Sequence, residues 1–482
     1  MTLDPRVLRG LGSVATAESP KVHARLAEAR IALSVGNGPC GLAISEIVAD
    51  QLVRLFPQVV AGDERSAKIL AEAIAWAGTE ASCVNGEADV AIVIGDGTPV
   101  TAESTVFVGA NRWRAHLSST SPQVTGSIGL GAPAAGYLAV LEVFKLVFST
   151  WIEDPVEALT ELHWSLFDWS TDGDDDGPDL LSLTLPELVW AGTGALSHGA
   201  FAGLAILPNV SGRVIAIDPD RHGPSSVRRY PRARSEWCGE SKPGCIRDWL
   251  QAVHPGLDVI DVATDLNGWY ETSRPDAVVP ILVTAPDSKE ARRHAALKLP
   301  QVSINGWAER FRVGVETFPS QPGRCLGCAY PIDAEAVSEL EIFRQETGLQ
   351  PWRVQDLLDG AGPLSDEDIV AVAARHGLAP DELRGQTIRS LREHLCAVGR
   401  VTPAGDSEAL DVPLGFVSGI AGVAMLAEVI RFVVASPTDK RWEWDARVTP
   451  APRNAWLHGP RPDCVVCGDG DFVAVYNEKY GI

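Results

Sequence analysis

The sequence predicts an α/β protein built from two similar units, each a mainly parallel sheet with helices packed on it, related by a pseudo-two-fold axis within one chain. Three observations predict this. An apolar strand, a Gly-x-Gly turn and a small-residue helix occur twice: IALSV runs into Gly36-Asn37-Gly38, and ELVWA runs into Gly192-Thr193-Gly194. A glycine-rich lead into a long apolar helix also occurs twice: Gly129, Gly136, Glu142-Val143 and Lys145 correspond at one constant offset to Gly415, Gly422, Glu428-Val429 and Arg431. Two matches in the same order point to an internal duplication. Between the copies, STDGDDDGPDL (170–180) is an acidic run that no core can bury, so it reads as a solvated linker. The expected organisation is a first unit over 1–170, a linker over 171–180 and a second unit over 181–482.

The totals narrow the function. A chain of 482 residues is long enough for two or three domains with full cores. Its net charge of −22 argues against a nucleic-acid or anionic-membrane surface. No apolar run reaches about 18 residues, so no membrane-spanning helix is expected. The start, MTLDPRVLRGLGS, lacks the apolar core of a signal peptide. The nine cysteines include two distant C-x-x-C pairs, which suits metal binding in a reducing cytosol better than a disulfide framework. The expected location is cytoplasmic.

The second unit opens on PELVWAGTGALSHGAFAGLAILPNVSGRVIAIDPD (186–220). Leu188–Trp190 is a short apolar strand, and Val214–Ile217 is another that ends in Asp218. This is the pattern of a Rossmann-like nucleotide-binding βαβ unit. Gly192 and Gly194 let the backbone turn and approach phosphate, and the helix N-terminus offers unpaired N–H groups. Ser197 stands where the third glycine of G-x-G-x-x-G would be, and Asp218 is placed to hold ribose hydroxyls. In the first unit, ADVAIVIGDG (88–97) and STVFVGANRW (104–113) read as further strands. After LFPQVVAGDE that unit shows neither an acidic strand end of this kind nor a cysteine pair. One half looks chemically equipped and the other structural.

Beyond Asp218 the second unit carries Asp220, then Arg228 and Arg229, then Lys242. Cations near a phosphate loop suit stabilisation of phosphate charge. Asp287 follows the apolar run PILVT, and a carboxylate at the C-terminal end of such a strand faces the ligand crevice. Cys325, Cys328, Cys464 and Cys467 form two C-x-x-C knuckles that together complete a closed, structural Cys₄ zinc site. Residues 332–395, between the knuckles, form a mostly helical insert, in which Ser365 caps a helix with Asp368 three residues on.

Taken in this order, the second unit resembles the adenylyltransferases that activate ubiquitin and ubiquitin-like sulfur carriers, including the molybdopterin- and thiamine-biosynthesis activators. That family reads G-x-G-G-x-G, D-x-D…S-N-L-x-R-Q, a lysine, a strand-end Asp, C-x-x-C, a glycine-rich helix and a final C-x-x-C. These stations occur here in order over about 186–470, the helix being PLGFVSGIAGVAMLAEVIRFV (413–433). Ser226 replaces the family's Asn, and Tyr230 its Gln. The resemblance implies that Asp218 binds the ATP ribose, that Asp220 and Ser226 lie at nucleotide-contact positions, and that Arg229 and Lys242 grip the phosphates. It implies that Asp287 holds Mg²⁺ or positions the α-phosphate. Paired inactive and active units resemble the arrangement of ubiquitin-activating enzymes, and Arg9, with Arg6 as the alternative, would reach the ATP from ahead of the first unit. Cys396, in CAVGRV after the insert, resembles the family's acceptor thiol; Arg400 and His394 lie near it in sequence, as a depressed thiol pKa requires. Cys238 and Cys245 are weaker nucleophile candidates, and Cys40 and Cys83 are expected in the core.

The implied function is ATP-dependent adenylation of the C-terminal carboxylate of a small ubiquitin-like protein or peptide, with ATP, Mg²⁺ and structural Zn²⁺. A thioester on Cys396 and transfer to a conjugating enzyme or sulfur donor would follow. The pseudo-dimer within one chain leaves room for a homodimer. Three rival readings stand beside it. One is the same chemistry on a peptide precursor of a natural product. Another is an NAD-dependent oxidoreductase with structural zinc, which explains the glycine turn but not Arg229 and Lys242. The third is an inactive scaffold, which fits Ser197 and Ser226.

Overall fold

The structure, a computed structural model, describes residues 19–152, 156–172, 176–273, 278–319, 324–331, 339–360, 362–397, 413–435, 441–450, 459–464, 466–468 and 470–481. The first half contains β1 (Arg30–Val35), β2 (Gln58–Ala61), β3 (Ser82–Cys83), β4 (Ala88–Ile94), β5 (Ala102–Asn111), β6 (Arg114–Ser118) and β7 (Glu161–Ser165). They form one sheet in the order β3-β2-β1-β4-β5-β6-β7. Pairing is parallel from β3 to β5 and antiparallel for the last two strands. The second half contains β8 (Leu183–Ala191), β9 (Val210–Ile217), β10 (Leu257–Val262), β11 (Ile281–Thr284), β12 (Val302–Glu309), β13 (Arg312–Pro319) and β14 (Arg441–Asp445). Its order, β10-β9-β8-β11-β12-β13-β14, repeats the first with every strand advanced by one set. The same four parallel and two antiparallel pairings recur. The duplicated sequence pattern therefore builds two mixed seven-stranded α/β sheets with one topology.

The central strands read as near-continuous apolar runs because both faces are covered, as parallel strands require. Helices Pro39–Leu55 and Gly131–Phe148 pack in the first half, and Ala195–Ala205 and Gly415–Val434 at the corresponding places in the second. Glycine permits close helix contacts: a Cβ at Gly199 would stand 2.7 Å from Gly419 Cα, and one at Gly136 2.8 Å from Ile47 Cγ2. The long helices also meet each other, with the Phe144 and Phe416 rings 5.4 Å apart. One continuous apolar core runs through both halves. Near β7 and β14, Trp169 of the first half stacks on Trp442 of the second at 4.7 Å.

The repeat reaches the buried charges. Glu142 and Lys145 pair at 2.6 Å, and their counterparts Glu428 and Arg431 pair likewise, all but Arg431 nearly sealed from solvent. Glu428 also accepts from Trp169 Nε1 at 3.0 Å and Thr317 Oγ1 at 3.1 Å.

Four sequence expectations are corrected. Helices Gly131–Phe148 and Gly415–Val434 are long and apolar enough to cross a membrane, although short polar interruptions break up the apolar runs. Their apolar windows are 94% and 83% buried inside the protein, as core helices are. The acidic linker is not wholly solvated: Asp176 pairs with Arg114 at 3.1 Å and accepts from Asn111 Nδ2 at 2.6 Å, while Asp179 pairs with Arg112 at 2.8 Å. Gly177 and Leu180 are buried against the first half. The first half does carry a carboxylate beyond its second strand, Asp63, spent on capping helix Glu64–Ala77 through Ser66 N at 2.6 Å. Cys83 is exposed on the short edge strand β3, whereas Cys40 is buried as expected.

Within 332–395 the described residues form helices Glu339–Thr347, Pro351–Asp359, Asp366–His376 and Ile388–Ala397. They enclose an apolar cluster of their own around Phe343, Val354, Ile369 and Leu391. Ser365 and Asp368 make the reciprocal capping box.

Candidate active site

The site is built where the parallel strands of the second sheet end. Gly192 leaves β8 with φ +90°, and a Cβ there would stand 3.0 Å from Ala285 O, so the turn lies against the segment after β11. Helix Ala195–Ala205 starts after Gly194 with no side-chain cap. Ser197 is accommodated without a third glycine: its Oγ donates to Gly192 O at 2.6 Å and accepts from Trp190 Nε1 at 2.8 Å. Asp218, buried just beyond β9, accepts Thr193 N at 2.7 Å and Thr193 Oγ1 at 3.1 Å on one oxygen, and Asp220 N at 2.9 Å on the other. The strand-end carboxylate thus fixes the glycine turn.

Lys242 opens helix Lys242–Val253 and is 4% exposed. Its Nζ meets Asp220 Oδ2 at 2.9 Å, and the backbones of the two residues bond at 3.1 Å. Thr387, the non-helical residue just before Ile388–Ala397, donates to the other Asp220 oxygen at 3.3 Å. Arg229 ends helix Pro224–Arg229, half-buried, with its guanidinium 5.1 Å from the Tyr230 ring centre; Lys242 Nζ lies 5.9 Å from the same ring. Both cations therefore approach the Tyr230 ring, whose hydroxyl approaches Gly194. Ser226 is turned inward, donating to Gly223 O at 2.8 Å. Asp287 is exposed beyond β11. Gly192, Gly194, Asp218, Asp220, Arg229 and Lys242 are brought together, and Asp287 lies at the same end of the sheet.

Beneath them His198 and His222 face each other, ring centres 5.3 Å apart, both fully buried. His198 Nδ1 contacts Pro231 O at 3.1 Å; its Nε2 and both nitrogens of His222 have no hydrogen-bond partner among the described residues. Burial pushes His198 down to about 3, and burial with His198 and Lys242 nearby pushes His222 down to about 2. Sequence reasoning missed both residues and Thr387, because no motif spacing marks them.

Cys325, Cys328, Cys464 and Cys467 gather as expected, all sulfurs within 4.8 Å of one another. The Sγ pairs 325–328, 325–464 and 328–467 are 4.0, 3.6 and 3.2 Å apart. Tetrahedral zinc with Zn–S near 2.3 Å sets sulfurs about 3.8 Å apart, so the cluster fits a closed Cys₄ metal site. Burial and the neighbouring sulfurs push the Cys325 thiol up, as for a set that a cation would neutralise. Helix Gly470–Tyr480 follows and docks by Tyr480 Oη to Leu299 O at 2.8 Å and Lys479 Nζ to Lys298 O at 2.9 Å.

Cys396 falls within helix Ile388–Ala397, but its side chain lies outside the described residues, as do Arg6, Arg9 and Arg400. The weaker thiols are poor nucleophiles: burial pushes Cys245 up to about 12 and raises Cys238.

A family profile described as the BilD N-terminal domain matches residues 48–153, within the first half. The uncharacterized protein y4jF of Sinorhizobium fredii (strain NBRC 101917 / NGR234) is 27% identical over 411 residues, covering 81% of this chain and 78% of that one. Among solved structures, E. coli MccB with AMPCPP and selenomethionine-labelled MccA matches at 15% identity and a TM-score of 0.35, covering 59% of this chain and 66% of that one. E. coli MccB with ATP matches at 15% and 0.35, covering 58% and 66%. The microcin C7 biosynthetic enzyme MccB with N-formylated MccA matches at 16% and 0.35, covering 58% and 67%.

Proposed function

We propose that the second half is an ATP-dependent adenylating module acting on the terminal carboxylate of a peptide or small protein. The observation that carries this reading is the convergence of the glycine turn, the Asp218 clasp, the buried Lys242–Asp220 pair and Arg229 at the carboxyl ends of β8 and β9. Such a crevice at the strand ends suits a nucleotide, with its phosphates toward the helix N-terminus. In the reaction a carboxylate oxygen attacks the α-phosphorus, the bond from that phosphorus to the bridging oxygen breaks, and pyrophosphate leaves with the electron pair. Lys242 and Arg229 supply fixed positive charge where negative charge develops. Asp287 offers a carboxylate oxygen of the kind Mg²⁺ takes, and the ion would neutralise phosphate charge. The Cys₄ site would hold zinc structurally.

The acceptor is a peptide carboxylate in the broad reading and a ubiquitin-like C-terminus in the narrow one. Exchange of labelled pyrophosphate into ATP, run with unstructured peptides and with small folded proteins, separates them. Exchange stimulated by peptides alone supports the broad reading; exchange only with a folded partner supports the narrow one. No exchange with any carboxylate, together with hydride transfer to NAD, would overturn both. Should Cys396 accept the acyl group, Cys396→Ala keeps exchange and loses only a thiol-sensitive covalent adduct, read by mass spectrometry under non-reducing conditions.

A further inference from the structure

The first half grips one particular loop of the second. Residues 224–237 carry Arg228, Arg229 and Tyr230, and their backbone is tied to two helices of the first half. Arg54, on helix Pro39–Leu55, donates from Nη1 to Val227 O at 2.6 Å and from Nη2 to Ala233 O. Asp50, one turn earlier, pairs with Arg54 at 2.8 Å and accepts Arg232 N at 2.9 Å. Both side chains are nearly sealed, at 4% and 2% exposure. Trp76, on helix Glu64–Ala77, donates from Nε1 to Arg232 O at 2.8 Å. Its ring lies 4.5 and 3.9 Å from the Arg232 and Arg234 guanidiniums. Glu46 adds a pair to Arg232 at 3.3 Å.

These contacts have one target. A buried arginine satisfied by two backbone carbonyls of another unit fixes a loop far more firmly than an exposed ion pair. Burial would raise the Asp50 carboxyl, but Arg54 and Arg232 hold it lowered, so the clasp is charged on both sides. The clasped segment ends helix Pro224–Arg229 and sets where Arg229 and Tyr230 stand relative to Lys242.

We infer that Arg54, Asp50 and Trp76 are positioning residues through which the first half holds the 224–237 loop, and with it Arg229, in its working place. The kinetic part of this inference rests on the adenylation proposed above; the structural part does not.

The test uses the full chain. Hydrogen exchange followed by mass spectrometry compares the parent with Arg54→Lys, Arg54→Ala and Trp76→Phe. Exchange within 224–237 is expected to rise on the order of tenfold in Arg54→Ala, less in Arg54→Lys, and on the order of threefold in Trp76→Phe, with peptides around Cys325 unchanged. Trp76→Phe keeps an aromatic side chain while removing the Nε1 bond and part of the surface stacked on Arg232 and Arg234, so it decides the question if Arg54→Ala does not fold. In pyrophosphate exchange the same variants are expected to raise the KM for ATP more than they lower kcat. Arg54→Ala should add less than about twofold in an Arg229→Ala background, because the two act through one element. Unchanged exchange in 224–237 for folded Arg54→Ala or Trp76→Phe overturns the inference. So does full additivity with Arg229→Ala. A loop loosened in the variants, with a parent that adenylates nothing, would keep the clasp and sink the function.

Discussion

The two halves share a topology and differ at one crevice. In each, the middle N–H of the glycine turn is held by a carboxylate at 2.7 Å: Asn37 by Asp96, and Thr193 by Asp218. The carboxylates come from opposite sides. Asp96 follows β4 and folds back over Gly36, and Arg65 closes the same turn by donating to Gly36 O at 2.7 Å. The matching position after β11 is Pro286, and the carboxylate that follows it, Asp287, stays exposed. The stretch beyond the second strand differs even more. β2 reaches its helix through Gly62 and Asp63 alone, whereas β9 reaches helix Lys242–Val253 through 218–241, the segment that carries both cations' supports. The first half fills its crevice mouth with its own side chains. The second builds its mouth from a long excursion that the first half then braces. On the function proposed above, a duplicated backbone would divide the work, one copy keeping the site and the other serving as its scaffold.

The largest expected effect is at that difference. Lys242→Ala removes the cation nearest Asp220 and should lower pyrophosphate exchange on the order of a hundredfold or more, measured at saturating ATP. A change under threefold would mean the second crevice is no more equipped than the first. Next comes the Cys₄ cluster, which the first half lacks. Elemental analysis should find about one zinc per chain, and Cys464→Ser should abolish it and raise hydrogen exchange around Cys325 and helix Gly470–Tyr480. Protein purified without chelator and free of zinc would refute this.

Acid stability sharpens the comparison. His198 and His222 are neutral in the folded second half, held down to about 3 and 2, against about 6.5 in an unfolded chain. As pH falls below about 6.5 the unfolded chain takes up these protons first, so the stability they contribute is present at neutral pH and lost progressively toward pH 3. Each such proton steepens the loss by about 1.4 kcal/mol per pH unit. Chemical denaturation between pH 7 and 4 should show that acid limb, and the double variant His198→Gln with His222→Gln should flatten it. An unchanged slope would show that the pair is not buried neutral. The smallest effect belongs to the first half. Asp96→Asn weakens a closure outside the reacting crevice and should change exchange by less than about twofold, at a stability cost of about 1 kcal/mol.

Much of this was legible in the chain. The strand and turn patterns at Gly36 and Gly192, the helix repeat at one offset and the four zinc-type cysteines each follow from local spacing, and local spacing survives folding. The capping box at Ser365 is equally local. The linker was misread because Asp176 and Asp179 find Arg114 and Arg112, more than sixty residues away, and composition cannot reveal such partners. Asp63 was overlooked because a strand-end carboxylate and a helix cap look alike in sequence. The clasp of Arg54 and Asp50 carries no motif at all. A lone arginine on an amphipathic helix acquires meaning only when a loop from the other half lies over it.

The sequence by itself determined two α/β units of one plan, the position of the glycine turns, the residue types at the strand ends and the two C-x-x-C pairs that gather into one cluster. Backbone propensity, apolar periodicity and short-range spacing are enough for these. Only the tertiary structure decided which carboxylate closes each turn, that the two long apolar helices lie in a core shared by both halves, and that the first half grips the arginine loop of the second. Those outcomes depend on which distant groups meet once both cores close. That meeting is set by packing and by the need to pair every buried charge, not by any neighbour along the chain.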